Sequence, residues 1–180
     1  MYQLTKSGGS GMAMQAAAAA QAIVEMQQYL SFIVGGETYA LGILDVKEII
    51  EYASVTRVPM MPPTIRGIIN LRGKVVPVID LGVRFKGAPT ETTRRTCIVI
   101  VDVESGESRH DMGVMVEAVN EVLDIAPENI EPSPAFGAAV RADFIRGMGR
   151  VGDHFVILLD VRRVLSVEEL AQVQTLAAAP

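Results

Sequence analysis

The apolar and polar positions of this chain write one phrase twice. "IRGIINLRGKVVPVIDL" begins at Ile65 and "IRGMGRVGDHFVILLDV" begins at Ile145, 80 positions on, with no gap between the copies. Each copy reads as two apolar strands around a glycine-containing turn, Arg72-Gly73 in the first and Gly152-Asp153 in the second. Asp80 and Asp160 come next, each ahead of a short mixed segment ("LGVRF", "VRRVL") that suits one helical turn with the aspartate as its N-cap. Further upstream, "VKEIIE" from Val46 recurs as "VNEVLD" from Val119, 73 positions on, and the same offset lays Pro59 on Pro132. Its spacing fits both a helix and a strand. We assign a single helical turn near Leu44 to Lys47 and a strand after it.

Two more hairpins precede these segments. "YLSFIVGGETYALGI" turns at Gly35-Gly36, with Tyr39, Leu41 and Ile43 on one face of its second strand; "CIVIVDVESGESRHDMGVMV" repeats the device with polar "ESGESRH" as its connection. Each half therefore runs hairpin, V-x-E segment, proline-bearing loop, hairpin, aspartate. The pattern predicts an all-β fold of about ten short strands in two sets of about five, and sets of that size close into small barrels more readily than they form open sheets, because closure removes exposed edges. The copies differ at the turn, where Arg72 of the first corresponds to Gly152 of the second. A duplicated scaffold altered in one copy places a site on one half only.

The ends have another texture. Residues 1–28 join "KSGGSG" to "MAMQAAAAAQAIVEMQQ", rich in helix formers but with an apolar stripe no wider than Ile23 and Val24, which reads as a flexible tail. At the other end Ser166 and Glu169 have capping-box spacing and lead into a short C-terminal helix and tail, residues 169–180.

Composition narrows the function. A net charge of -5 and a pI near 5.1 oppose nucleic-acid binding, which needs concentrated cations, although the run Arg66, Arg72, Lys74, Arg84, Lys86 keeps an RNA-binding barrel as an alternative. Cys97, the single cysteine, sits in an apolar run and reads as a buried thiol in a reducing compartment. The apolar stretches fall short of a membrane span and no signal peptide is legible, so the expectation is a soluble cytoplasmic protein. The two histidines, His110 and His154, fall in predicted turns without a nucleophile or partner at useful spacing, and Cys and His together are too few for a zinc site. Neither glycine cluster, "GGSG" or "GMG", has the setting of a phosphate cradle. We expect no enzyme activity, no cofactor and no metal. The inventory points to a protein that binds proteins.

At "TRVPMMPPTIRGIINLRGKVVPVIDLGVRF" the sequence resembles the CheW family of bacterial chemotaxis coupling proteins, and the likeness runs from about Tyr29 to Leu165. The resemblance implies a CheW-like domain over residues 29–168, built as two interlocked five-stranded barrels of the Src-homology-3 type, near 38–90 and 91–165. In that arrangement the first strand packs with the second barrel. It also implies a non-enzymatic adaptor, monomeric alone, that joins the cytoplasmic tips of chemoreceptors to the regulatory domain of the histidine kinase CheA, forms rings with the kinase and sits peripherally at membrane receptor arrays. A homologous adaptor in another receptor pathway, such as pili control, is the alternative. By position, the receptor groove takes Val46, Glu48, Gly67, Asn70, Arg72, Gly113, Val119 and Val122, with Glu48 and Arg72 as an acid and base pair. The kinase-docking surface takes Val55, Thr56, Ile65 and Arg66 on the first barrel and Phe136 on the second. Thr64 stands where the family often has an aromatic residue.

Overall fold

The strands form where the apolar runs are, and they do so twice. The structure, a computed structural model, describes residues 26–133 and 142–165. Along the described chain lie β1 (Gln27–Val34), β2 (Glu37–Gly42), β3 (Val46–Glu51), β4 (Ile65–Leu71), β5 (Lys74–Asp80), α1 (Leu81–Lys86), β6 (Cys97–Ser105), β7 (Ser108–Val116), β8 (Ala118–Ile125), β9 (Ile130–Glu131), β10 (Ile145–Val151), β11 (His154–Leu159) and α2 (Val161–Val164). One sheet has the order β3-β6-β7-β5-β4 and the other β8-β1-β2-β11-β10-β9. The fold is all-β, as the alternation predicts. Its extra strand is the two-residue β9, which pairs with β10 through Met148↔Glu131 and Gly149↔Ile130.

The two sheets exchange their leading hairpins. The β1–β2 hairpin opens the first half of the sequence, yet β1 pairs with β8 and β2 runs parallel to β11. The β6–β7 hairpin opens the second half, yet β6 pairs with β3 and β7 runs parallel to β5. Strand pairing therefore does not follow a division at residues 90 and 91: residues 46–116 supply one sheet, and 27–42 with 118–159 supply the other. The cause is visible in β6, where Ile98 and Ile100 point into the first barrel while Val99, Val101 and Val103 point out of it into a second apolar layer. A strand buried on both faces reads as a continuous apolar run, and it links two cores.

Three cores follow from that exchange. Val76, Val78, Ile98, Ile100 and Met115 fill the first barrel, and Tyr29, Ala40, Ile125, Val156 and Leu158 fill the second. The largest cluster lies between the sheets and includes Phe32, Tyr39, Ile79, Leu81, Val99, Val101, Phe144 and Leu165. Ordered aromatic contacts run through it, Tyr39 to Phe85 at 5.1 Å and Phe85 to Phe144 at 6.3 Å between centroids. Polar ties cross the same boundary: Gly35 N–H donates to Glu117 Oε1 at 2.6 Å, and Arg162 Nη2 meets Glu104 Oε2 at 3.1 Å. The halves are thus held by apolar contact first, since an exposed ion pair such as Arg162–Glu104 contributes about 0–1 kcal/mol.

Both aspartates cap helices. Asp80 accepts from Gly82 N–H at 2.9 Å at the start of α1, and Asp160 accepts from Arg162 N–H at 3.0 Å at the start of α2. Five readings need adjustment. The helical turn before β3 is a 3-10 turn at Ile43–Asp45, and the strand already begins at Val46. The long polar connection is mostly strand: β6 and β7 pair out to Ser105↔Ser108, around a turn at Gly106. Cross-strand pairing of Arg109 with Asp102 and Glu104 supports that extension, so His110 lies in β7 and His154 opens β11, neither in a turn. Cys97 is only partly buried, its thiol directed at the Arg95 carbonyl 3.3 Å away, because it heads the strand where the barrel opens. The expected tail over residues 1–28 is too long at its end, because Gln27 and Gln28 already pair in β1; residues 1–25, residues 134–141 with Phe136, and residues 166–180, where the C-terminal helix is expected, lie outside the described residues.

Candidate functional site

Strands β3 and β8 are the edges of their respective sheets, and each carries one copy of the V-x-E segment. A shift of register between Val46 and Glu48 bends β3, so that Val46 packs on the core between the sheets while Glu48 opens toward the surface. Val119 packs on the same core from β8. Two exposed aliphatics sit beside them at equivalent positions, Ile49 (43 % exposed) and Val122 (47 %). Of this pair the sequence resemblance supplied Val122 alone. The 73-residue offset that aligns the copies was the available signal for Ile49.

Arg72 reaches this edge from the β4–β5 turn. Its backbone has φ 52° and that of Gly73 has φ 84°, two consecutive left-handed residues, which is the type I′ hairpin geometry that follows the twist of the strands. Asn70 Oδ1 accepts from Gly73 N–H at 2.9 Å and holds the turn. Arg72 Nη2 then donates to Glu48 Oε2 at 3.0 Å. The pairing of these two side chains, expected from the resemblance, is present in the geometry. A non-glycine residue in the left-handed region costs roughly 1–2 kcal/mol, whereas the second copy has glycine at the corresponding place, Gly152 at φ 59°. The first half therefore gives up backbone stability to present an arginine, and a surface ion pair worth about 0–1 kcal/mol does not by itself repay that. Such a residue points to function.

The remaining positions of the expected groove divide. Asn70 is exposed and beside Arg72. Gly113 is buried within β7, where a Cβ would come 2.8 Å from Ile98 Cγ2, so it serves barrel packing and presents no surface. Gly67 is also buried: at φ 151° its missing Cβ would lie 2.2 Å from the Thr56 carbonyl oxygen. That contact joins it to the other expected surface. Thr56 and Ile68 exchange backbone hydrogen bonds of 2.8 and 2.9 Å across this close approach, and Val55 packs against the first-barrel core.

The segment from Val55 to Arg66 surrounds a depression of about 380 Å³ whose walls include Val58, Met61, Pro62, Ile65 and Pro89. Arg66 and Asp80 lie at its floor, Nη1 to Oδ2 3.6 Å. Ile65 is 6 % exposed and so forms the wall rather than the rim, while Thr56 is exposed. Met60 stands fully out of this surface at 98 % exposure, with φ 65°. Apolar walls over one charged pair suit a docked side chain, and no nucleophile with a base is assembled there.

Burial, reinforced by the hydrogen bond to Glu37, holds the Tyr39 phenol well above its ordinary value. Burial pushes the Asp45 carboxyl up, opposed by Arg146 and Arg162. Its bond to Asp111 raises Lys47. None of these groups is part of a catalytic constellation. Among the described residues no cluster of His, Cys, Asp or Glu has the makings of a metal site, and no helix is long and apolar enough to cross a membrane. Four of the five cations in the basic run read from sequence are engaged: Arg66 meets Asp80, Arg72 meets Glu48, Lys86 meets Glu37 at 3.3 Å, and the Arg84 guanidinium lies 4.8 Å from the Phe144 ring centroid.

Comparison with known proteins places the chain. The CheW-like domain model matches residues 28–169. The chain is 35 % identical over 151 residues to the chemotaxis protein CheW of Klebsiella aerogenes, covering 84 % of this chain and 89 % of that protein. It is 30 % identical over 156 residues to the CheW of Treponema pallidum, with the same two coverages. The crystal structure of the scaffolding protein TtCheW from Thermoanaerobacter tengcongensis superposes with a TM-score of 0.71 at 28 % identity, covering 94 % of this chain and 96 % of that one. Matched by the family model over most of its length and built as two interlocked sheets with repeated aspartate caps, the chain belongs to the CheW family of non-enzymatic chemotaxis adaptor proteins.

Proposed function

We propose that this adaptor couples the cytoplasmic tips of chemoreceptors to the histidine kinase CheA at membrane receptor arrays. The receptor surface is the edge formed by Val46, Glu48, Ile49, Asn70 and Arg72, with Val119 and Val122 on the other sheet. The observation that carries this reading is the Arg72–Glu48 pair, 3.0 Å apart, built on a left-handed arginine that the duplicate half replaces with glycine. Kinase docking uses the depression beside Val55, Thr56, Ile65 and Arg66.

Two variants test the receptor surface. Arg72→Glu sets like charges side by side, and Arg72→Gly copies the second half. Both should leave the unfolding free energy within about 1 kcal/mol of the parent, since an exposed pair contributes little and glycine relieves the backbone. Titration calorimetry with a receptor-tip fragment should show a loss of about 1–3 kcal/mol for both, while binding to the kinase regulatory domain stays near the parent value. Equal losses toward both partners would make Arg72 structural and end the assignment.

Phe136 is the second kinase-facing anchor in this proposal, needed for rings and not for the binary complex, because unlike faces meeting head to tail close a ring. Phe136→Ala should keep binary kinase affinity and shift the size distribution of kinase, adaptor and receptor mixtures to smaller species. Full-sized assemblies at parental concentration would remove Phe136 from the interface.

A further inference from the structure

The depression between Val55 and Arg66 is apolar in its walls and unbalanced in its charge. Of the residues that line it only Arg57, Arg66 and Asp80 are charged, two guanidiniums against one carboxylate. That carboxylate is already engaged. It accepts from Gly82 N–H at 2.9 Å, from Thr90 N–H at 3.0 Å and from the Thr90 hydroxyl, and it has no solvent exposure. Arg66 approaches it only to 3.6 Å, beyond hydrogen-bond distance, and among the described residues its guanidinium donates no hydrogen bond. Arg57 is exposed and has no ion-pair partner among the described residues, while the backbone bonds between Thr56 and Ile68 fix the chain just before it. A chain of net charge -5 thus keeps a local excess of positive charge in a hollow whose apolar walls strengthen it.

The walls select among anions. Val58, Met61, Pro62 and Ile65 are suited to covering hydrocarbon, and no aromatic ring lines the hollow to stack a base. A nucleic-acid phosphate brings charge without an apolar stem. A glutamate or aspartate side chain brings both, its methylene against the walls and its carboxylate toward guanidinium forks that match it in shape. Met60, in the same loop, holds a left-handed backbone at φ 65° with its side chain 98 % exposed, and strain of that kind persists where a surface is used.

We propose that the depression is an acid-accepting socket: an Asp or Glu side chain of the partner protein enters it, and Arg57 and Arg66 hold the carboxylate. This rests on the kinase reading of the surface and adds what the kinase regulatory domain must present there, a carboxylate set among apolar residues.

Calorimetry of the full chain with the kinase regulatory domain tests it. Arg57→Glu is the main variant, because no ion pair among the described residues is lost with it. At low salt the variant should lose about tenfold in affinity, and clearly less at about 1 M salt, where the Debye length is about 3 Å, with the melting temperature unchanged. Lys74→Glu, at the far end of the β4–β5 hairpin from Ile65, should keep the parental affinity. Replacing the kinase domain's surface acids one at a time by lysine should then find one that weakens binding to the parent and restores binding to Arg57→Glu. Three results would overturn the proposal. Equal binding by the parent and Arg57→Glu leaves docking in place and empties the socket, and if an RNA oligonucleotide is the ligand that Arg57→Glu loses, the two guanidiniums form a phosphate site. Equal losses in Arg57→Glu and Lys74→Glu reduce the effect to net charge. The absence of any rescuing acid leaves Arg57 without its carboxylate. A parent chain that does not bind the kinase domain at all removes the kinase reading itself, and the socket with it.

Discussion

Gly67→Ala is expected to lower the unfolding midpoint of this protein by about 6–12 °C, the equivalent of about 3 kcal/mol in a chain of this length. Two independent costs meet at the position. At φ 151° an L side chain is strained whatever the space around it, and the added Cβ would stand 2.2 Å from the Thr56 carbonyl oxygen and 2.8 Å from Val55 Cγ1. A backbone oxygen cannot rotate out of the way. Relief requires separating β4 from the segment at Thr56, which breaks both hydrogen bonds of the Thr56–Ile68 bridge. The duplicate supplies a control. Gly147 carries no such φ, and its Cβ would meet the Ile130 Cγ2 methyl at 2.8 Å and the Glu131 carbonyl oxygen at 3.1 Å, a backbone approach 0.9 Å looser than the one at Gly67. Gly147→Ala should therefore cost clearly less, about 1 kcal/mol. Thermal melts of the two variants decide the matter, and equal shifts would show that the close approach at Thr56 is not what requires glycine at position 67.

That contrast also shows where sequence stopped being informative. The repeated phrase "IRG" placed Gly67 and Gly147 in register, and nothing in it distinguished the 2.2 Å backbone approach at Gly67 from the looser one at Gly147. The hairpins, their glycine turns and the aspartate caps were legible because they are local: alternation, turn chemistry and capping act within a few residues. The exchange of leading hairpins was not readable from alternation, since β1–β2 and β6–β7 are equivalent devices and either half could keep its own. Its trace was the unbroken run "CIVIVDV", in which Ile98 and Ile100 face one core and Val99 and Val101 another. The candidate site was legible in part for the same reason. Arg72 stood out as the point where two copies diverge, while the left-handed backbone beneath it and the exposure of Ile49 required coordinates. The place of His110 was misread because a polar run was taken for a loop, whereas cross-strand charges of opposite sign let polar residues remain in a ladder.

The two aspartate caps look interchangeable in sequence, and their removal should separate them widely. Asp80 has no solvent exposure, while the Asp160 side chain is 35 % exposed. Asp80 also holds more than its helix. Its carboxylate accepts from Gly82 N–H at 2.9 Å and Thr90 N–H at 3.0 Å and from the Thr90 hydroxyl, and it faces the Arg66 guanidinium at 3.6 Å. The end of β5, the start of α1 and the return of the loop at Thr90 therefore meet on one buried anion. Asp80→Ala leaves three donors and a cation without their buried acceptor, an expected cost of about 3–5 kcal/mol. Asp160 accepts from Arg162 N–H and has Arg163 Nε at 3.7 Å, so Asp160→Ala removes one cap and a solvated ion contact, about 1 kcal/mol. Asp80→Asn divides the larger loss, because the amide oxygen still accepts while its NH2 faces the donors and the charge opposite Arg66 is gone. It should fall between the other two. Urea unfolding of the three variants tests the order, and hydrogen exchange at the Thr90 amide should rise in Asp80→Ala before the rest of the domain opens. Equal losses at Asp80 and Asp160 would mean that the loop at Thr90 and Arg66 draw nothing from the buried carboxylate. The floor of the depression beside Arg66 would then have to be held by its apolar walls alone.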